Sequence, residues 1–193
     1  TMKTLIRNAH VISPGIDLKR ASVVIEKGRI RSVTADAVPK TGFDTVVDVR
    51  GKYLVPGFID VHTHGACGHD VCDATPEAIA AIAAAKLAEG CTSFLPTTLT
   101  VSNEELKVAA KNAKAYAEAG MPYSKVPGIH LEGPFINVKC CGAQNPKYVR
   151  NPSAKEVKEI AKVYPVKAIS YAVEAKDGAK FAKEMIKMGV VPS

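Results

Sequence analysis

His62-Thr63-His64 puts two imidazoles two residues apart, at the end of an apolar run that begins Phe58-Ile59. If that run is a strand, residues i and i+2 point the same way, so both rings can grip one cation. Imidazole nitrogen suits Zn²⁺ and Fe²⁺. A carboxylate can complete such a set. Glu132, within Gly128-Ile129-His130-Leu131-Glu132-Gly133-Pro134-Phe135, is the candidate. A bound divalent ion would polarise a carbonyl and activate a water molecule. The same residues also have a plainer reading, as two polar histidines on a rim and a salt-bridging glutamate. Two features favour the metal. Asp60, His62 and His64 crowd one apolar strand, and burying them is costly unless something satisfies them. Gly133-Pro134 fixes a sharp turn that a loose surface glutamate would not need.

The remaining candidates are weaker. His130 shares a strand side with Glu132 and reads equally as a supporting donor, a substrate contact or a satisfied core histidine. His10 falls in a strand and His69 in a loop, with no partner evident for either. The five cysteines, Cys67, Cys72, Cys91, Cys140 and Cys141, follow no framework spacing and read as reduced thiols. The adjacent Cys140-Cys141 pair is too close for a metal grip and is incidental or part of a mobile lid. No phosphate-cradling Gly-x-x-x-x-Gly-Lys-Ser/Thr loop, no dinucleotide Gly-x-Gly-x-x-Gly turn and no Gly-x-Ser-x-Gly elbow occurs.

The elements that must position the histidines and the glutamate follow from periodicity. Runs at 5–12, 21–26, 29–33, 44–49 and 53–55 alternate polar and apolar residues, with a turn at Lys27-Gly28, and predict a small antiparallel sheet over residues 1–55. Pro56-Gly57 then punctuates the chain. Residues 56–193 alternate strands (58–62, 91–95, 126–131, 166–173) with helices (76–89, 102–119, 153–163, 178–188), and a fifth strand begins at Val190. Thr75 with Pro76, Ser102 with Glu105, and Ser153 with Glu156 mark helix starts, the last two as capping boxes; Gly90 and Gly120 mark stops. About four βα units predict a parallel sheet, whose strand ends carry the site. A closed eight-unit barrel needs about 250 residues, so this segment is a smaller open sheet or a barrel cut near its middle.

Composition sets the outer bounds. The chain has 193 residues, 47% hydrophobic and 23% charged, which is ordinary for a globular protein. No window approaches the roughly 18-residue apolar run of a membrane span, and residues 1–8 lack a signal-peptide core; no membrane partner and a cytoplasmic location are expected. Thr1 ahead of Met2 reads as an addition. The net charge of +7 is spread over helical stretches interleaved with glutamate, and the chain has no Trp. That argues for a solvated face and against a nucleic-acid partner, while a positive field remains compatible with an anionic substrate such as a sugar phosphate.

Val55-Pro56-Gly57-Phe58-Ile59-Asp60-Val61-His62-Thr63-His64-Gly65 resembles the signature of the amidohydrolase superfamily. The segments His130 to Phe135, Gly142-Ala143-Gln144-Asn145-Pro146 with Val149-Arg150, and Gly90 to Thr98 resemble, more narrowly, the N-acetylglucosamine-6-phosphate deacetylase family. The resemblance runs from about residue 5 to the end. It implies the N-terminal half of a metal-dependent (β/α)8 TIM barrel, preceded by a small antiparallel β-sandwich segment. It implies metal ligands at Glu132 and at the His62–His64 pair, a divalent Zn or Fe ion, and a sugar-binding loop at Ala143 and Gln144. The implied reaction is attack of metal-activated water on an acetamide, giving acetate and glucosamine 6-phosphate.

Val173-Glu174 departs from the family's usual Pro-Glu. Two further metal histidines and the general-base Asp are expected beyond Ser193, so the 193 residues alone are expected to be inactive. Alternatives are another amidohydrolase acting on a cyclic or linear amide, and a non-catalytic amidohydrolase-like scaffold. A half barrel has open strand edges, which predicts association with further copies.

Overall fold

A computed structural model describes residues 2–193; Thr1, read above as an addition, lies outside them. The chain divides into two compact units, Thr1–Pro56 and Gly57–Ser193.

The first unit is one sheet of five strands: β1 (Lys3–Ser13), β2 (Ile16–Glu26), β3 (Arg29–Thr34), β4 (Thr45–Asp48) and β5 (Tyr53–Leu54). β1–β2 and β2–β3 are antiparallel hairpins. Lys27 and Gly28 form the second turn with φ of 54° and 70°, the pair of positive values that a type I′ hairpin needs. Ala9, Val11, Ala21 and Val23 make a small core on one face. The expectation of an antiparallel sheet needs correction here. β4 and β5 both pair parallel with β1, so the sheet is mixed. Residues 35–44 carry the chain from β3 at one edge to β4 at the other, and a crossover of that kind leaves β4 running the same way as β3 and β1, where a hairpin would have reversed it. Period-two alternation identifies a strand but does not report its direction.

The second unit is a parallel sheet with helices. β6 (Phe58–Thr63) is followed by a tiny hairpin of β7 (Gly65–Ala66) and β8 (His69–Asp70). Then come α1 (Pro76–Ala88), β9 (Cys91–Thr98), α2 (Asn103–Glu118), β10 (Ile129–Glu132), α3 (Ala154–Ala161), β11 (Val166–Ser170), α4 (Gly178–Lys187) and β12 (Val191–Pro192). The sheet order is β12-β11-β10-β9-β6, and every pairing is parallel. Strand order therefore follows chain order without reversal. A doubly wound sheet reverses at a switch point, whereas a barrel adds each strand beside the last. The unit is thus a half-barrel, and the open-sheet alternative falls on topology.

Helix starts follow local chemistry. Thr75 accepts the Ala78 N–H with Pro76 at the first position, and Ser102 with Glu105 forms a complete capping box. Ser153 caps α3 through the Glu156 N–H, but Glu156 does not reciprocate, because its carboxylate binds the Arg150 guanidinium at 2.9 Å. The third strand begins at Ile129 rather than at residue 126.

Leu106, Ala109, Ala110, Ala113 and Tyr116 line the buried face of α2 at helical spacing. Leu106, Ala110, Ala113 and Tyr116 pack in one core with Ile82, Phe94, Ile129, Leu131 and Ile169. Along β10, Ile129 and Leu131 belong to this core, so His130 and Glu132 point to the opposite face. At the sheet edges, β6 leaves Phe58, Ile59 and Val61 exposed and β12 leaves Val191 exposed.

Candidate metal centre

Two strand ends build the centre. His62 and Thr63 end β6, His64 follows them, and Glu132 ends β10. The Nε2 atoms of His62 and His64 lie 3.1 Å apart. Glu132 Oε2 stands 2.8 Å from the first and 2.6 Å from the second. His64 and Glu132 are partly buried, and His62 is the most open of the three. The structure therefore brings His62, His64 and Glu132 to one point on the C-terminal rim of the parallel strands.

The chemistry of the donor set fits a divalent cation. His64 Nδ1–H donates to the Thr97 carbonyl at 3.2 Å. A carbonyl only accepts, so the proton of the neutral ring sits on Nδ1 and the Nε2 lone pair is left facing Glu132 and His62. Electron-rich atoms this close repel unless a proton or a cation lies between them. Ligand atoms about 2.0–2.2 Å from one ion stand roughly 3.3–3.6 Å apart in a tetrahedral set, so the three atoms, 2.6–3.1 Å apart here, need only spread by about half an ångström to receive one. A metal-binding histidine also commonly donates its other N–H to a carbonyl, as His64 does.

A layer of further side chains holds these three in place. Thr97 is fully buried; its hydroxyl accepts the Thr63 N–H at 2.9 Å and donates to the Leu95 carbonyl at 3.1 Å, fastening the end of β6 to β9. Asp60 accepts the His62 N–H, the Thr63 hydroxyl and the Lys86 ammonium. Burial works against the Asp60 carboxylate, but the hydrogen bonds from Thr63, His62 and Lys86 outweigh it and hold the carboxyl below its ordinary range.

His130 reaches across the inner face. Its Nδ1–H donates to the Val61 carbonyl at 2.7 Å, its Nε2 accepts the Ser170 hydroxyl at 3.0 Å, and its ring packs edge-on against His62 with centroids 4.8 Å apart. Burial, together with the neighbouring His62 and His64 rings, lowers its pKa against the pull of Val61 and Glu132. Both nitrogens are satisfied, so of the three readings open for His130 the core histidine and the support of His62 are combined.

After Glu132 the chain turns at Gly133, with φ of 72°. A Cβ there would meet Thr100 Oγ1 at 2.1 Å, so only glycine fits. The following peptide, Gly133–Pro134, is cis. Residues 133–150 return over the rim. Arg150 fixes the far end of this loop by donating to the Val101 and Tyr148 carbonyls and pairing with Glu156. Gln144 comes back onto the centre, whereas Ala143 is exposed in the loop. Cys140 and Cys141 lie in the same loop and are not in the metal set. Cys72 accepts the Leu99 N–H, and burial pushes its thiol up to about 11.

Asp60, Thr97, Ser170 and Arg150 were not singled out for these roles from sequence. Ser170 was within reach of strand periodicity, since β11 pairs with β10 and places Ser170 opposite Glu132. Thr97 acts partly through its main chain, which no residue pattern reports.

A profile of the amidohydrolase family matches residues 53–190, well over half of the chain. The chain belongs to the amidohydrolase family. Among curated relatives, the N-acetylglucosamine-6-phosphate deacetylase of Lysinibacillus sphaericus is 29% identical over 194 residues, covering 100% of this chain and 50% of the relative. The Bacillus subtilis enzyme of the same name is 34% identical, over 79% of this chain and 39% of its own length. An N-acetylgalactosamine-6-phosphate deacetylase from Escherichia coli O157:H7 is 32% identical, over 74% and 38%.

Among solved structures, the Mycobacterium smegmatis N-acetyl-D-glucosamine-6-phosphate deacetylase D267A mutant, in complex with N-acetyl-D-glucosamine-6-phosphate, superposes with a TM-score of 0.83 at 26% identity, over 100% of this chain and 49% of that one. The Pasteurella multocida deacetylase shares the fold with a TM-score of 0.86 at 24% identity, over 99% and 50%. The chain thus spans about half the length of the relatives it matches. In this amidohydrolase, the matched region contains every residue of the His–His–Glu centre.

Proposed function

We propose that this chain forms the metal-bearing half of an amide hydrolase that removes the acetyl group from N-acetylglucosamine 6-phosphate, giving glucosamine 6-phosphate and acetate. The observation that carries the reading is the convergence of His62 Nε2, His64 Nε2 and Glu132 Oε2 at one rim position, in a chain whose relatives are phosphorylated amino-sugar deacetylases. His62, His64 and Glu132 would hold a divalent ion, zinc or iron(II), both of which suit nitrogen-rich sites with one carboxylate. Bound there, the ion supplies Lewis-acid polarisation of the amide carbonyl and acidifies water. The chain's own residues orient and support. Thr97 sets the His64 tautomer, Asp60 and Thr63 fix the end of β6, and His130 braces His62. Ala143, exposed in the rim loop, and Gln144 beside it would contact the sugar. The proton-transfer group is expected from later strands of the relatives' barrel. We further propose a cytoplasmic setting and self-association through the open edges at β6 and β12, which sedimentation of the purified chain reads directly.

The test has two arms. The longer protein containing this sequence, loaded with zinc or iron(II), is expected to release acetate from N-acetylglucosamine 6-phosphate, and absence of release with either ion sinks the deacetylase reading. The E. coli relative named for the galactosamine epimer supplies the rival substrate within the same chemistry. A kcat/KM higher for N-acetylgalactosamine 6-phosphate would move the assignment to that epimer. The chelator-treated 193-residue chain is expected to bind one equivalent of Zn²⁺ by calorimetry and to release no acetate by itself.

A further inference from the structure

Gln144 makes two hydrogen bonds that fix each other. Its Oε1 accepts the Thr100 N–H at 2.6 Å, and its Nε2 donates to Glu132 Oε1 at 3.1 Å. The first contact decides the orientation of the amide: a backbone N–H needs an acceptor, so the carbonyl end must face Thr100 and the amino end must face Glu132. One carboxylate oxygen of Glu132 is thereby taken by the loop, while Oε2 alone faces the two imidazoles. The amide that does this comes from twelve residues further along the chain, on the loop that Gly133 starts and Arg150 closes. Thr100 lies just beyond β9, so the link joins the loop, β9 and β10 at the centre.

We propose that Gln144 is a positioning residue for the metal carboxylate: it holds Glu132 for one-oxygen coordination and couples the order of the 133–150 loop to occupancy of the centre. This rests on the metal reading above and goes beyond it, because it gives Gln144 a role toward the ion in addition to the proposed sugar contact. Two consequences follow from the same bonds. Without the amide, the Glu132 carboxylate can rotate between orientations, and ion binding must then freeze that rotation. In the other direction, an ion that holds Oε2 fixes Oε1 and so strengthens the loop's anchor, since coupling between two sites is reciprocal.

The experiment compares wild type, Gln144→Met and Gln144→Ala as purified 193-residue chains. Zn²⁺ affinity is measured by calorimetry, apo-protein melting by circular dichroism, and hydrogen exchange of residues 133–150 with and without Zn²⁺. Gln144→Met keeps the length and bulk of the side chain while removing both hydrogen bonds. The expected result is a loss of Zn²⁺ affinity of about 10–100-fold in both variants, the usual effect of removing a partner that orients a metal ligand. Apo melting stays near wild type, and Zn²⁺-dependent protection of the loop appears in wild type only. Wild-type affinity in Gln144→Met, or equal loop protection by Zn²⁺ in wild type and variants, overturns the proposal while leaving the metal reading intact. A variant whose apo melting collapses along with its affinity also overturns it, since the role would then be structural. If wild type itself binds no Zn²⁺, the metal reading fails first, and this proposal with it.

Discussion

The two units of the chain each contain a histidine against a carboxylate at nearly the same distance. In the small sheet His10 Nε2 stands 2.7 Å from Asp17, and in the half-barrel His64 Nε2 stands 2.6 Å from Glu132. The first pair is seven residues apart in sequence and bridges one hairpin; Asp17 is open to solvent, and Tyr53 lies beside the ring. The second pair is 68 residues apart, includes a second imidazole, and has its outward-facing atoms tied down by Thr97 and Gln144. Close approach of a histidine and a carboxylate is therefore not what makes a centre. What separates the two is convergence of lone pairs from different strands, with a supporting layer that fixes each donor.

The most forceful way to break that contrast is to remove a carboxylate from each. Glu132→Ala should reduce Zn²⁺ affinity by more than the roughly 100-fold expected for removing a supporting partner, because it removes a ligand. Asp17→Ala should leave the affinity unchanged. Calorimetric titration of the two variants side by side reads the difference. Equal losses, or no loss in Glu132→Ala, would mean that the rim cluster is a proton-bridged surface group like its counterpart in the sheet.

The same contrast shows how far the sequence could be read. His62, His64 and Glu132 were legible because strand period and strand-end placement are local properties that a parallel sheet converts into proximity. Thr75 and the Ser102–Glu105 capping box were legible for the same reason. The direction of β4 and β5 was not, since alternation is blind to direction. The Ser153–Glu156 box failed because Arg150 competes for the same carboxylate, and that competition exists only once the rim loop has folded back. Gln144 was singled out from family likeness as a sugar contact. Its bonds to Thr100 and Glu132 depend on the path of the loop, which no spacing encodes. The half-barrel itself needed the strand order, since βα alternation alone also allows a doubly wound sheet.

A second contrast between the units is depth. Phe94 is fully buried among the helices and strands of the half-barrel, whereas Ile30 on β3 is 68% exposed. Phe94→Ala removes a large side chain from a packed interior and should cost about 3–5 kcal/mol. Ile30→Ala touches little and should stay within about 0.5 kcal/mol, as surface substitutions usually do. Urea unfolding followed by circular dichroism separates the two. A Phe94→Ala chain as stable as Ile30→Ala would show that the half-barrel interior is loosely packed.

The smallest expected effect lies in the sheet and depends on pH. Asp48 at the end of β4 accepts the Asn8 side-chain amide on both carboxylate oxygens at 2.9 Å and the Arg50 N–H at 3.0 Å, with Arg7 at 3.7 Å. The Asn8 hydrogen bond and the Arg50 N–H, helped by the charges of Arg7 and Arg50, hold its carboxyl below the ordinary 3.8 against the opposing effect of burial. A carboxylate lowered in the folded state stabilises it above the unfolded pKa, and the contribution is lost as pH falls through the folded value. Asp48→Asn should therefore melt slightly below wild type at pH 7, and the gap should close as the pH drops below about 3.8. The side chain is open to solvent, so the shift should be small and should shrink with added salt. A gap that persists unchanged in acid would mean that Asp48 acts through its shape at the β1–β4 seam and not through its charge.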